Sequence, residues 1–255
     1  FFALFMMLAG TARSQVSLTA TAGTLVGSYT TLKATFDAIN AGTHLGTIAI
    51  TIAAPGTTET ASAVLNSSLT GAANYGSVSI APSSSAVTVT GNLAGAATIK
   101  LNGADNVTIN GFFGGTRQLT IRNTAASGTS SCLWLASSSA LDGATNNVIQ
   151  NTIFIGASQL TTIACILSGS GTTIGASAEA GNSDNVIQNN LVHTCFNGIA
   201  FNGNASAGDA GNIITQNVVG STVGAEKIGF EAIQVINQSN VSITLNTVAG
   251  ITSTE

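Results

Sequence analysis

The sequence predicts an all-β fold, a right-handed parallel β-helix with three short strands per coil and a helix capping its N-terminal end. Three observations carry that prediction. First, a phrase made of a turn residue, an Asn and a β-branched aliphatic recurs five times, as Asp105-Asn106-Val107, Asn146-Asn147-Val148, Asp184-Asn185-Val186, Gly211-Asn212-Ile213 and Ser239-Asn240-Val241. Second, the steps from Asn106 through Asn147, Asn185 and Asn212 to Asn240 are 41, 38, 27 and 28 residues, the period range of solenoids whose coils stack on one another. Third, the apolar positions within each copy are β-branched and two or three apart, which is strand spacing. A second kind of strand lies between the copies, at Leu133-Trp134-Leu135, Cys165-Ile166-Leu167, Ile199-Ala200-Phe201 and Ile233-Gln234-Val235. Right-handedness follows from the strong bias of parallel crossovers.

The Asn residues are read as structural. Asn190 and Asn217 fall at a bend between two strands, with Thr152 at the same offset in an earlier copy and Asn246 one place later in the last. Asn tolerates the left-handed backbone that such a bend needs, and stacked amides can bond from coil to coil. The Asn-Val-Ile-x-x-Asn repeats and the strand from Asn197 to Phe201, over roughly Gly46 to Gly250, resemble the right-handed parallel β-helix proteins of the pectate-lyase-like superfamily. The resemblance implies the fold and leaves activity open, because that superfamily holds lyases, glycosidases, tailspikes and adhesins.

Taken in order, residues 1–14 read as an incomplete signal peptide. Phe1 to Ala9 is an apolar run too short for a membrane span, and Ala12-Arg13-Ser14 places small residues for a cut before Gln15. No stable membrane span is expected after that cut. Residues 15–45 form an N-terminal segment with a capping helix: Thr30 or Thr31 caps it, Leu32, Phe36 and Ile39 share a face, and Gly42 ends it. His44 is placed in a solvated connecting loop. Residues 46–255 form the β-helix, through Ile48 to Ile52, Ser77 to Ile80, Val87 to Thr90, Thr98 to Leu101 and Asn106 to Gly111, and this solenoid is expected to be truncated at its C-terminal end. The segments Tyr29 to Asn40, Thr58 to Ala61 and Leu101 to Ile109 also resemble the N-terminal portion of large bacterial surface proteins exported by the type IX route. That likeness implies a secreted or cell-surface location.

Of the 255 residues 44% are apolar and only 6% charged, with a net charge of −4, so Ser, Thr and Asn must carry solubility and nucleic acid is excluded as a partner. The three cysteines are read as unstacked. Cys165 takes the inward place of Leu133, Ile199 and Ile233, Cys132 sits one residue before that place, and Cys195 lies in the segment leading in. Cys165 is thus expected to be a packed core thiol.

Chemistry is sparse. A pectate lyase needs clustered acids on Ca²⁺ and an Arg base, and a β-helix glycosidase needs paired acids. Asp105 and Asp184 are read at one turn offset with Asn146 between them, the setting of ordinary turn residues. His193 and Cys195, two apart, lack a third metal ligand. The Asn-Thr-Asp, Asp-Asp, Gly-His-Gly and Arg-Ile-Lys signatures of the superfamily's glycosidases, a phosphate loop and a Ser-His-Asp set are all absent from the sequence. No cofactor, metal or catalytic residue is assigned. Strand alternation sends Arg122 and Trp134 outward, and these two residues are the glycan-binding candidates, unless the loop from Ser137 to Ala144 covers the indole. Thr88-x-Thr90, the start of an ice-binding array, does not recur in later coils. The expected function is a stalk or adhesin that binds a polysaccharide or cell-surface glycan. The alternative is a polysaccharide lyase or glycoside hydrolase whose active site lies in other coils.

Overall fold

The computed structural model describes residues 14–252 except 207. The predicted signal peptide therefore lies almost wholly outside the described residues. The chain forms a β-solenoid of about six turns. Each complete coil contributes one strand to each of three parallel sheets, here named A, B and C in chain order. Sheet A runs from His44–Ile52 through Tyr75–Pro82, Val107–Asn110, Val148–Gln150, Val186–Gln188 and Ile213–Thr215 to Ser242–Thr244. Sheet B stacks Gly56–Glu59, Val87–Gly91, Leu119–Asn123, Ile153–Ile155, Leu191–His193, Val218–Val219 and Thr247–Val248. Sheet C stacks Ala63–Asn66, Ala97–Asn102, Ser130–Ala136, Thr162–Gly169, Cys195–Asn202 and Ile228–Ile236. Inward side chains such as Ile109, Ile149, Ile187 and Ile214 form one continuous buried column.

The N-terminal end is closed by more than a helix. Helix α1, Leu32–Asn40, is capped by Thr31, whose Oγ1 accepts from Ala34 N, and it buries Leu32, Thr35, Phe36 and Ile39. The carboxylate of buried Glu59 accepts Leu32 N and Lys33 N at 2.9 and 3.0 Å, placing negative charge against the positive end of the helix. At the other end Asn40 bonds Val64 O and Asn66 N, covering the free edge of sheet C. Two strands not expected from the sequence, Val16–Gly23 and Val26–Tyr29, extend sheet A in antiparallel fashion. His44 is not a solvated loop residue. It opens a sheet A strand and is buried between Tyr29 Oη and Thr24 O, both at 2.5 Å, because the antiparallel hairpin folds over it.

Two Asn ladders run through the coils. Between sheets C and A, Asn185 Oδ1 accepts from Asn147 N, Asn212 Oδ1 accepts from Asn185 N, and each Nδ2 donates to a carbonyl of the preceding coil. Between A and B, Thr152, Asn190, Asn217 and Asn246 form the second ladder in the same way. The left-handed residues stand one place earlier than the ladder, at Asn146, Asp184 and Gly211 for the first and at Asn151, Asn189, Gln216 and Leu245 for the second. Asn106 and Asn240 occupy that left-handed place, with φ of 57° and 53°. The recurring phrase therefore merges two roles: Val107 aligns with Asn147, and Asn246 falls in line with Asn217.

The same one-residue correction applies to the cysteines. Leu133 pairs with Ile166, and Ile166 with Ile199, so Ile166 fills the place the sequence reading gave Cys165. Cys165 instead lies beside Cys132. All three thiols are free and buried, and Cys165 as a packed core thiol agrees with the sequence.

Candidate functional site on the outer face of sheet B

Trp134 points away from the coil interior, as alternation requires, yet it is only 5% exposed. Its ring packs with Ala97, Ala136, Ala164, Leu167 and Ala200, with Ile163 and Ile174 at the margin. Lys100 Nζ lies 4.4 Å from the ring centroid, a cation–π contact, and donates to Gly171 O at 2.6 Å. The segment after Gly169 is held down by Glu179, whose carboxylate accepts Ser137 Oγ at 2.5 Å, Gly171 N at 2.8 Å and Ser170 Oγ. Burial alone would raise the Glu179 pKa, but these bonds outweigh it and hold the group at about 2. The indole is thus enclosed by its sheet C neighbours, by Lys100 and by Ile174 of the segment that Glu179 holds, and has no free face for a sugar ring.

Arg122 belongs to sheet B, not to the sheet C row of Trp134. Its register neighbour is Ile155, and Ile155 pairs with His193. The two candidates therefore do not share a face. One row over on sheet B, Thr120, Ile153 and Leu191 align. The outer surface of these coils is accordingly an apolar strip with cations at its margin. Arg122 Nε is enclosed and finds no hydrogen-bond partner among the described residues. His193 has a lowered pKa, chiefly from burial and further from Arg122, against the opposing pull of Glu226.

A short hairpin roofs the other margin of this strip. Phe112–Phe113 pairs with Thr116–Arg117 across Gly114 and Gly115, both at positive φ, which suits a tight hairpin turn. Arg117 reaches two coils on, donating from Nε to Asn189 O at 2.7 Å and from its terminal nitrogen to Asn189 Oδ1. Asn189 Nδ2 donates to Asn151 Oδ1 at 2.7 Å and Asn151 Nδ2 to Asn110 Oδ1 at 2.8 Å, while Asn110 Oδ1 accepts Phe112 N at 3.2 Å. The hairpin is thereby fastened at both ends. Beneath it lies a cleft of about 430 Å³ lined by Phe112, Gly115, Thr116, Arg117, Ile153, Asn189 and Leu191, within the size range of small-ligand sites. Phe112 and Phe113 are 50% and 39% exposed. The Gly-Gly pair between Phe-Phe and Thr-Arg was the sequence signal for this hairpin.

The acids are placed elsewhere. Asp184 shares its position with Asn106 and Asn146, whereas Asp105 stands one residue earlier, bonded to Thr145 N and Oγ1 at 2.7 Å. The two do not hold one turn offset, and burial raises the Asp105 pKa. His193 and Cys195 do not share a face either, since left-handed Thr194 turns the chain and Cys195 joins the interior. Among the described residues no group of three His, Cys, Asp or Glu could hold a metal ion, and no helix is long and apolar enough to cross a membrane. No family model, curated protein or solved structure matches the chain.

Proposed function

We propose that this chain is the repeat region of a secreted or cell-surface β-helix protein, a stalk or adhesin that binds glycans weakly on the outer face of sheet B and performs no catalysis in this stretch. A relationship to the pectate-lyase-like superfamily and export by the type IX route belong to the same proposal. The observation that carries it is the cleft under the hairpin. The partly exposed Phe112 ring, the Arg117 guanidinium and the Asn189 amide border an apolar floor, which is the mix of stacking surface and fixed polar groups that a sugar requires. Arg122 is partly exposed on the same face. The lining contains no carboxylate, so neither a general acid nor a nucleophile is positioned there. Ring stacking contributes about 1 kcal/mol, so a single site binds weakly and display in many copies raises attachment.

The experiment is a glycan panel read by direct binding with residues 15–255. Phe112→Ala should weaken binding about fivefold, the equivalent of about 1 kcal/mol, whereas Trp134→Ala should lower stability without acting through ligand contact. Binding that ignores Phe112→Ala and Arg122→Gln would remove the proposed face. Turnover that co-purifies with the protein would remove the non-catalytic reading.

A further inference from the structure

The three buried thiols form a cluster of nucleophilic groups that the glycan-binding reading leaves unused. Cys132 and Cys165 stand on neighbouring strands in register, since Ser131 pairs with Ala164 and Leu133 with Ile166 on either side of them. Their hydrogen bonds repeat one coil apart. Cys132 Sγ donates to Ile155 O at 3.2 Å and Cys165 Sγ to His193 O at 3.3 Å, and Ile155 and His193 are themselves register partners. Strands of one sheet lie about 4.8 Å apart, inside the Cα window of about 4.4–6.8 Å that a disulfide spans. Cys195 also borders Cys165, but it is out of register. Ala164 pairs with Asn197, which puts Gly198 opposite Cys165 and Cys195 before it, behind the Thr194 bend.

We propose that Cys132 and Cys165 form a latent covalent rung, closed when the chain folds in the presence of a small-molecule disulfide such as oxidised glutathione, with Cys195 left as the free thiol. The exchange balances. One cysteine thiolate attacks the glutathione disulfide and releases one glutathione thiol, then the second cysteine attacks the mixed disulfide and releases the other. The protein loses two protons and two electrons, one S–S bond forms, and one breaks. Enclosure also sets the timing. Both sulfurs are shut away from solvent, and burial pushes both thiols well above their usual pKa, so the closed coil resists attack and the bond must form before it seals. The rung would join two consecutive coils of sheet C.

The test refolds the reduced, denatured full chain with and without a glutathione redox buffer, then unfolds it in N-ethylmaleimide for mass measurement. Oxidative refolding should give a chain two hydrogens lighter that takes one maleimide, with digestion linking the peptides of Cys132 and Cys165. Cys195→Ser should keep the link and take no label, and Cys165→Ser should take two labels. Adding oxidised glutathione to the already folded protein should leave three thiols to label. The wild-type and Cys195→Ser results decide the question even if Cys165→Ser fails to fold. Three labels after oxidative refolding, a glutathione adduct on Cys132 or Cys165, or a bond to Cys195 would overturn the proposal.

Discussion

Replacing Asn185 by Ala tests whether the ladders hold the coils together. The Asn185 side chain is fully buried. Its Oδ1 accepts from Asn147 N at 3.1 Å and from Asn147 Nδ2 at 3.0 Å, and its Nδ2 donates to Ala144 O at 3.0 Å. Asn185→Ala strips the partners from the Asn147 N–H and the Ala144 carbonyl, and each such buried group costs about 1–3 kcal/mol. Asn147 Nδ2 keeps Ala104 O at 2.9 Å, so its lost bond adds only about 1 kcal/mol. The expected destabilisation is therefore about 3–7 kcal/mol, a large part of the roughly 5–15 kcal/mol that holds a typical domain. Urea unfolding followed by circular dichroism measures it. The control is Gln188→Ala, which removes an exposed amide pair with Gln216 and should stay within about 0.5 kcal/mol. If Asn185→Ala cost no more than the control, the ladder would be an ornament of the packing and the reasoning would fail.

Two further outcomes follow from the same structure. Glu179 has its folded pKa depressed from 4.5 to about 2. Its contribution is present above the unfolded value and is lost as pH falls through that interval, so emission of Trp134, the only tryptophan, should shift to the red in acid. Glu179→Gln should show part of that shift at neutral pH, and an emission unchanged down to about pH 2 would mean that the carboxylate does not hold the covering segment. The last coil should exchange its amide hydrogens faster than the others, because Ile243 and Val248 are 43% and 51% exposed where their counterparts Ile214 and Val219 are fully buried. Equal protection from Val148 to Val248 would contradict this.

How much could be read from the sequence depended on which residues the physics makes replaceable. The repeat was readable because a solenoid must present β-branched residues inward once per coil, and Ile149, Ile187 and Ile214 do so. The helix was readable from its cap and apolar face. Register was misread by one residue because the left-handed position accepts Asn146, Asp184, Gly211 or even Leu245, so an alignment made on Asn mixes bend residues with ladder residues. That slip also displaced Asp105 and Cys165. Arg122 was correctly sent outward, and so was Trp134, but its enclosure by Lys100 and Ile174 is a contact that no alternation rule contains. The hairpin from Phe112 to Arg117 was missed because it is an insertion between coils, outside the period.

The ladders also bear on how such a chain can change length. Each Asn satisfies backbone groups of the coil before it and presents its own N–H to the coil after it, so any two rungs are interchangeable. Excising residues 185–211 would bring Asn212 under Asn147 with the same donors and acceptors in place, and Asn217 under Thr152. A cut that did not run from one ladder position to the next would put some other residue where a buried amide belongs. The neutral unit of insertion or loss in this protein is therefore one whole coil, and variants of it should differ in length by steps of a full turn.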